Sequence, residues 1–472
     1  MAKISGISAF FDNNTERFGK ISFTMLVLYF LDIILLGTGV ITKVGMFSTR
    51  ILFFGLSILF SLPLLLKNFK SLIRQPYVIC VAVFMLWVAI SAVRGVLNSN
   101  RMDIIKTDVF GYLNFCIVPT MLCVINNRQR VKCLSITIIG SCLIMAVISV
   151  VLSFFPFFPH KYEFYPILNR TGIAAITVMN GSATRVFCHT ASRVFLVAYV
   201  LLVAKLLHEE DKKRTLWGIA ALSLLIVAIF LSYSRSPYAG CALGVAAFIA
   251  VFVILNHQKL KKAVCLIIAS AVIAAAMIGA LGLVQKENLF QPAIFRVLLS
   301  MSYIPGDNAG NTGDTTPDTT APTEPEPTEP SYDTLEAEEY NLLNRQDKIR
   351  LLNQSIAKNP VFGNGLGAAI DYDDGYVEYT FHDIVNKMGI IGLILFLMPF
   401  VLHIYYIFKR LRFAGDTQEI LVAAAMFAAM VYFLFITYFN PCMNTTVGIS
   451  CYGLSMVAMH RAIGSAEPET NT

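Results

Sequence analysis

The sequence predicts an all-α polytopic membrane protein with about twelve transmembrane helices and one large external loop between helices nine and ten. Of its 472 residues, 56% are hydrophobic and only 14% are charged, whereas soluble domains carry about 25% charged residues. The apolar residues form segments near the ~20 residues that a helix needs to cross a bilayer. These segments lie at 21–40, 50–66, 77–95, 108–125, 131–155, 192–207, 215–233, 236–255, 262–284, 382–407, 417–438 and 443–461.

The first five segments are joined by short loops and contain few polar residues. The first is not expected to be a cleaved signal peptide, because Asp32 interrupts it and no small-residue cleavage site follows. Asp32 and Arg94 are the charged exceptions in this part of the chain. Either residue could belong to a functional site, and a paired or snorkelling charge is an equally good explanation.

Basic residues predict the orientation of the chain. They concentrate in short loops on one side, at Lys3–Lys20, Lys67–Arg74, Arg128–Lys132, Lys205–Arg214, Lys259–Lys262 and Lys409–Arg412. Loops rich in Lys and Arg face the cytoplasm, so we predict that both termini are cytoplasmic and that the loops 156–191 and 285–381 are external. The net charge of +7 is thus distributed over membrane loops, and we predict no nucleic-acid partner.

The first external loop carries two distinct patterns. It begins with FFPFFPHKYEFYP, an aromatic run typical of the membrane interface. It ends with TRVFCHTASRVF, which places Arg185, His189 and Arg193 at the outer mouth of the sixth segment. Binding of an anionic substrate and anchoring to lipid headgroups are both open interpretations of these side chains.

Cysteine spacing predicts neither a metal site nor a cofactor. Most cysteines lie within apolar segments, where a thiol behaves as a small hydrophobic group. Cys188 and Cys442 both fall on the predicted external side, so a disulfide and two free thiols are both open.

Segments seven and eight are joined by Ser232-Tyr233-Ser234-Arg235-Ser236, a tight external hairpin. Arg235 is its one charged residue, and serines flank it on both sides. Because a guanidinium pairs bidentately with phosphate oxygens, the hairpin favours anion binding. A simple interfacial turn is the alternative.

The chain divides into three regions. Residues 1–284 form a membrane domain with helices one to nine, and 382–472 hold helices ten to twelve and a cytoplasmic tail. Between them lies the external loop 285–381. Its part 305–334 is rich in Thr, Pro and acids, so it cannot bury enough apolar surface to fold, and we predict a disordered tether. The part 335–381 is predicted to be ordered.

The ordered part leads into the tenth segment. Apolar residues at Ile349, Leu352 and Ile356 have helical spacing, and Asn359-Pro360 ends that helix. Gly363-Asn364-Gly365-Leu366-Gly367 then forms a turn with little side chain, which could approach a ligand through its backbone. Acids at 371–378 and His382 follow. Arginine, glycine, carboxylate and imidazole groups therefore gather where a loop enters the membrane.

The chemistry of such a site is restricted by its location. No ATP is present outside a cell, and GNGLG lacks the strand and the Lys-Ser/Thr of a nucleotide-binding loop. The energy for a reaction must then arrive within the substrate, and a lipid-linked pyrophosphate is the natural activated form in a membrane. Two phosphates require several cations, which the predicted external side supplies as Arg185, Arg193, Arg235 and Arg345.

Three motifs resemble the O-antigen ligase and O-antigen polymerase family of membrane glycosyltransferases. YSRSPYAGCALGVAAF is similar to its SRG hairpin and helix, and NPVFGNGLGAA is similar to its P-L-F-G-x-G turn. FHDIVNKMGIIGLILFL resembles its H-N-x-x-L-x-x-x-G-x-x-G entry into a span. The motifs appear in the family's order over roughly 180–405. The first five spans match in hydropathy alone.

The resemblance implies roles for individual residues. Arg235, Arg345 and His382 would be catalytic, and the substrate pyrophosphate would be bound by Arg185, Arg193, Arg235, Arg345, Gly363 and Gly365. Two departures stand out: Asp383 replaces the family's usual Asn after the histidine, and the insertion 305–334 is outside the common core. The acids Asp371, Asp373, Asp374 and Glu378 are a rival source of a base, and a solvated loop is the plain alternative.

The resemblance further implies a glycosyltransferase that uses no nucleotide sugar, metal or other cofactor. A glycan on undecaprenyl pyrophosphate would be the donor, the arginines would stabilise the departing pyrophosphate, and His382 would accept the proton of the acceptor hydroxyl. Membrane lipid, a chain-length regulator and a flippase are the further expected partners. Polymerase is favoured over ligase, and a transporter of lipid-linked oligosaccharide is the main rival. A sensor or scaffold is a third interpretation.

Overall fold

The structure is a computed structural model. It describes residues 2–37, 43–44, 47–158, 161–179, 183–255, 258–294, 331–333, 335–370, 379–411, 418–443 and 445–466, without the side chains of 2–13, 43–44, 47, 162, 169, 178–179 and 331–346. Most of the predicted tether 305–334 and the acidic run 371–378 therefore lie outside the described residues.

Helices form most of the described chain. They are α1 (Ala2–Leu35), α2 (Thr49–Lys67), α3 (Phe69–Leu72), α4 (Pro76–Leu97), α5 (Met102–Leu113), α6 (Ile117–Val124), α7 (Arg128–Ser153), α8 (Lys161–Thr171), α9 (Ala191–Leu206), α10 (Lys212–Leu231), α11 (Arg235–Ile254), α12 (Leu260–Gln285), α13 (Leu335–Lys358), α14 (Thr380–Lys409), α15 (Gln418–Phe439) and α16 (Thr446–Ala466). Short 3-10 helices lie at Asn114–Cys116 and Phe155–Phe157.

Among the described residues, ten helical stretches are long and apolar enough to cross a membrane, and all ten coincide with predicted segments. This confirms the prediction of an all-helical, multi-pass membrane protein. The sixth and twelfth predicted segments are also helical, as α9 and α16, but they are not among the ten. α9 has only 16 residues and is almost wholly buried, so it packs mainly against other helices. A total of twelve spans remains a prediction.

Five short strands accompany the helices in the described part of the chain. β1 (Lys43–Val44) pairs antiparallel with β2 (Phe47–Ser48). β3 (Ala175–Met179) lies between β4 (Thr184–Phe187) and β5 (Ser331–Asp333), antiparallel to the first and parallel to the second. β5 belongs to the region that the sequence assigns to the tether, so the end of this region pairs with the loop 156–191, which is predicted to be external.

The core of the bundle is built around α15. Its sequence has many alanines, which allow neighbouring helices to approach closely. Gly240 and Gly244 lie one turn apart on α11, and a Cβ on either would meet the side chain of Tyr432. Helices α9, α11 and α15 are therefore held in fixed positions, with their ends at the candidate site.

Candidate functional site

Two contacts of the last turn of α15 bring the predicted site residues to one end of the bundle. The ring of Tyr438 lies 5.8 Å from the ring of His382, between centroids. Asn440 Nδ2 donates a hydrogen bond to Ser236 Oγ at 2.7 Å, next to Arg235 in the first turn of α11. The same end of the bundle thus holds His382 and Arg235, which are far apart in sequence.

Arg185 is fixed by the hairpin that precedes α11. It projects from β4, and its Nε donates to the carbonyl of Ser232 at 3.1 Å. Its guanidinium carbon also lies 5.7 Å from the centre of the Phe187 ring. The hairpin itself is rigid, because Tyr233 has a left-handed backbone (φ 43°) and its buried hydroxyl donates to the carbonyl of Leu289 at 3.1 Å. Arg185 is thereby positioned beside the first turn of α11.

Arg193 lies in the first turn of α9 and is half-buried. Its side chain makes no hydrogen bond or ion pair with any residue that the structure describes. Burial lowers the pKa of the neighbouring His189, and the positive charges of Arg193 and Arg185 lower it further. The two guanidinium groups are therefore close enough to act on the same imidazole.

We call Arg185, Arg193 and Arg235 the arginine rim. Arg345, the fourth predicted arginine, belongs to α13, but its side chain is outside the described set. The next turn of α13 packs near the site, because Ile349 and Leu352 cluster with Tyr379 at the start of α14. The backbone of Arg345 is thus one turn away from residues that contact the entry to α14.

His382 lies in the first turn of α14, between two tyrosine rings. Its ring centroid is 6.0 Å from that of Tyr379 and 5.8 Å from that of Tyr438. Its Nδ1 is buried and has no hydrogen-bond partner in the described part of the chain. Because Tyr438 remains 43% exposed, the imidazole lies beneath an aromatic surface that is accessible from outside the bundle.

Buried polar atoms without a partner concentrate near this end of the bundle. Most buried polar groups in proteins are hydrogen-bonded, so each exception needs an explanation. Of six such atoms among the described residues, five lie near the ends of α9, α14 and α15. They belong to Ser192, Thr380, His382, Asp383 and Thr437. This concentration is typical of a site that is completed by a ligand or by water.

The glycine turn, residues 363–367, has the predicted conformation and uses it for internal packing. Gly363, Gly365 and Gly367 have φ values of 76°, 88° and 79°, a region that favours glycine. The amide of Gly363 donates to the carbonyl of Asn359 at 2.9 Å, and that of Gly365 to the carbonyl of Lys387 at 3.0 Å. Both amides that the resemblance assigns to the pyrophosphate are therefore engaged with the protein.

The close approach that the glycines permit is to two helices. A Cβ on Gly363 would lie 2.5 Å from the carbonyl oxygen of Lys387 in α14. One on Gly365 would meet the backbone of Gly95 in α4, 2.5 Å from its Cα. The turn is consequently wedged between α4 and α14. The lack of a side chain at Gly363 and Gly365 therefore permits this close packing.

This wedge occupies a break in α14. Gly389 has non-helical torsions (φ 69°, ψ −178°) inside the helix. On the C-terminal side of the break, the amide of Ile390 donates to the carbonyl of Pro360 at 2.9 Å. On the N-terminal side, which we call the upper half of α14, the carbonyls of Asn386 and Lys387 accept hydrogen bonds from the amides of Asn364 and Gly365. The residues around the turn thus satisfy backbone groups on both sides of the break, as a discontinuous helix in a membrane requires. His382 lies on the short upper half.

A charge triad, which consists of the buried Asp383 and Lys387 and the partly buried Asp108, holds that half in place. Lys387 Nζ lies 2.8 Å from Asp108 Oδ1 and 3.0 Å from Asp383 Oδ2. The amide of Gly367 donates to the other oxygen of Asp108 at 2.9 Å. Lys387 is 1% exposed and Asp383 is 4% exposed. Because charges are costly to bury unless they are paired, Asp383 in place of the usual Asn is accommodated by Lys387.

Sequence reasoning missed the contribution of the first five segments. Arg94 Nη2 donates to Asn359 Oδ1 at 3.2 Å, and Asn100 Nδ2 donates to the carbonyl of Leu366 at 2.9 Å. Two charged residues within apolar segments, Asp108 and Lys387, were the signals in the sequence that could have indicated this contribution. Nothing in their spacing indicated that they meet.

Two open alternatives are resolved by the structure. Cys188 and Cys442 are both free thiols, and both are buried; Cys188 Sγ lies 3.2 Å from Ser149 Oγ.

Asp32 is paired, with Arg50 Nε at 3.4 Å and with the hydroxyl of Thr49. The paired-charge interpretation of Asp32 is therefore confirmed.

Comparison with known proteins adds one positive finding. The family model of O-antigen ligase like membrane proteins matches residues 187–458, a range that includes Arg193, Arg235, Arg345 and His382. No curated protein and no solved structure matched the chain. The matched range covers more than half of the sequence and contains most of the site described above. The chain therefore belongs to the family of O-antigen ligase like membrane proteins.

Proposed function

We propose that the protein is a glycosyltransferase that joins lipid-linked glycan units at the outer face of the cell membrane. The donor is a glycan on undecaprenyl pyrophosphate, and the acceptor is a hydroxyl of another glycan. Polymerisation of a surface polysaccharide, such as a capsule or an exopolysaccharide, is favoured over ligation. Nothing in the chain indicates the lipid A core that a ligase in the narrow sense requires.

The environment of the Arg193 side chain is the single observation that carries this proposal. A half-buried guanidinium without a described partner lies near Arg185 and at the same end of the bundle as His382. Uncompensated positive charge in a low-dielectric setting favours an anion. A pyrophosphate supplies the charge and planar bidentate contacts that arginine prefers.

The proposed reaction is a single displacement. The acceptor oxygen forms a bond to the anomeric carbon while the bond from that carbon to the pyrophosphate oxygen breaks. The electron pair leaves on the pyrophosphate, where the arginine rim stabilises the developing charge. The proton of the hydroxyl passes to His382, whose Nδ1 is free of hydrogen bonds to described residues. The anomeric configuration is inverted.

The glycine turn and the charge triad serve this reaction indirectly. They hold the upper half of α14, and with it His382, against α4 and α5. A positioned base is effective only if its geometry is maintained. This assigns positioning roles to Gly363, Gly365, Asp108 and Lys387.

A transporter of lipid-linked oligosaccharide is the second candidate, and the charge triad is the observation that favours it. Ionisable residues inside spans are typical of ion-coupled transport. Here, however, both oxygens of Asp108 and the ammonium of Lys387 are engaged within the protein. A network in which the lysine and both oxygens of Asp108 are engaged within the protein suits a structural role better than the binding of a transported ion.

Lysine substitution tests the proposed arginine contacts in cells. Arg193→Lys keeps the charge and removes the planar fork, so we expect polysaccharide to shorten and lipid-linked repeat units to accumulate at normal protein level. Arg235→Lys should behave similarly. Arg101→Lys is the matched control, because Arg101 is exposed and paired with Asp103. Normal glycan ladders from both rim variants would assign the rim to lipid headgroups instead.

A further inference from the structure

A second cleft lies at the opposite end of the bundle from the candidate site. It opens between the start of α7, the end of α9 and the start of α15. α9 and α15 connect the two places, since α9 begins beside His189 and α15 ends beside His382. The distribution of Lys and Arg predicts that this second end is cytoplasmic.

The mouth of the cleft is positively charged. It is lined by Arg128 and Lys132 of α7, Lys205 of α9, and Glu419 of α15. Arg128 is engaged, with Nε 3.5 Å from the carboxylate of Glu419. The ammonium groups of Lys132 and Lys205 have no hydrogen bond or ion pair with any described residue. Within the described part of the chain, two positive charges at the mouth therefore remain without a counter-charge.

The interior of the cleft is apolar. Behind the lysines, a cavity of about 40 Å³ adjoins a second one of about 20 Å³, and Val131, Ser135, Leu201 and Val422 line both. The deeper cavity ends on Leu134, Met426, Leu454 and Val457. Ser135 is the one polar side chain in this deeper part. The single hydroxyl of Ser135 cannot satisfy the several polar groups of a nucleotide's sugar and base, whereas hydrocarbon fits such walls.

We infer that this cleft binds an anionic phospholipid of the adjacent leaflet. Its phosphate lies between Lys132 and Lys205, and the upper part of one acyl chain enters the apolar cavity. Charge complementarity selects an anionic headgroup over a zwitterionic one, because only the former adds net negative charge to the basic mouth. Basic pockets between membrane helices on the cytoplasmic side bind such headgroups by the same physics.

Lipid titration of the purified full-length chain in detergent tests this inference. Dioleoylphosphatidylglycerol should bind tightly and raise the midpoint of thermal unfolding, while dioleoylphosphatidylcholine, with identical chains, should have little effect. Binding is counted by native mass spectrometry. In the double variant Lys132→Gln/Lys205→Gln, we expect about thirtyfold weaker binding of the anionic lipid, since each basic residue near an anionic surface adds about 1 kcal/mol.

Two further variants separate a specific cleft from general basicity. Lys67→Gln/Lys70→Gln removes an exposed basic pair elsewhere on the same predicted face, and it should bind like the unmodified chain. Ser135→Leu keeps both lysines but fills the apolar cavity, so the preference for the anionic lipid should fall. Equal losses in the two lysine double variants would overturn the inference, as would full binding by Ser135→Leu. An equal stabilisation by inorganic phosphate would also overturn it, because the cleft would then be a soluble-anion site.

Discussion

At the scale of single residues, the arginine rim and His189 share one electrostatic environment. Burial and the charges of Arg193 and Arg185 lower the pKa of His189, so folding favours the neutral form of this imidazole. A bound anion would offset those charges. The pKa of His189 therefore responds to the electrostatic potential at the arginine rim.

The direction of its pH effect follows from that lowered pKa. The unfolded chain takes up a proton near its ordinary pKa of about 6.5, whereas the folded protein does so only at lower pH. Stability should therefore be lost as the pH falls below about 6.5, because the unfolded state binds more protons in that window. His189→Gln should lose less stability between pH 7.5 and pH 5.5. Thermal unfolding at both pH values measures this, and identical pH dependence in the variant would contradict the assignment.

At the scale of elements, α13 ends where the sequence predicts the end of a helix, and the predicted glycine turn follows it. α13 stops at Lys358, directly before Asn359-Pro360. What could not be predicted is the partner of the turn. Local propensity fixes a positive φ at Gly363 and Gly365, but the contacts with Gly95 and Lys387 are long-range and have no local signature. The sequence therefore predicted the turn but not its packing between helices, and binding of the pyrophosphate by Gly363 and Gly365 stays a prediction.

Glycine substitutions test this wedge. Gly365→Ala would place a Cβ against the backbone of Gly95, and Gly389→Ala would place one against the carbonyl of Val361, both at positive φ. We expect each to destabilise the protein by more than about 3 kcal/mol, since backbone cannot move aside cheaply. Gly279→Ala is the control, because a Cβ there meets nothing within 4 Å, and it should be neutral or stabilising. Fluorescence-detected size-exclusion chromatography after heating compares the three. If Gly365→Ala is as stable as Gly279→Ala, the turn does not pack as described.

The charge triad predicts an order of stabilities. Lys387→Met would leave the buried carboxylate of Asp383 and the partly buried one of Asp108 without their counter-ion and should cost about 3–5 kcal/mol. Asp108→Asn leaves the pair of Lys387 and Asp383 intact and keeps an oxygen for the amide of Gly367, so its cost should be smaller, about 1–3 kcal/mol. Lys106→Met, at an exposed position on the helix of Asp108, should be neutral. Equal stability of Lys387→Met and Asp108→Asn in the same heating assay would show that Lys387 does not neutralise both acids.

At the scale of the whole molecule, hydropathy predicted the class of fold and the positions of the spans. Hydropathy also located α9, predicted at 192–207 and found at Ala191–Leu206, although this helix is short and almost wholly buried. The sequence could predict those residues of the candidate site that lie in the motifs, such as His382 and Arg235. It could not predict the participation of Asp108 and Arg94, because only the tertiary fold brings the first five segments against the motif region.

The predicted orientation can be tested by cysteine labelling of intact cells. In a chain whose exposed native cysteines have been replaced, Thr320→Cys should react with a membrane-impermeant maleimide, and Lys212→Cys should react only after lysis. The reason is the concentration of Lys and Arg in the loops on the side of Lys212. The reverse pattern would place the arginine rim in the cytoplasm and remove the proposed external donor.

Transfer of glycan by the purified protein tests the central claim most directly. The full-length chain is reconstituted in liposomes with a radiolabelled repeat unit on undecaprenyl pyrophosphate, without nucleotide, and the lengths of the lipid-linked glycans are measured. We expect longer glycans together with released undecaprenyl pyrophosphate, and a rate about 10²- to 10⁴-fold lower for His382→Asn at equal incorporation. A donor that crosses the bilayer with its glycan bond intact, or elongation at an undiminished rate by His382→Asn, would contradict the account.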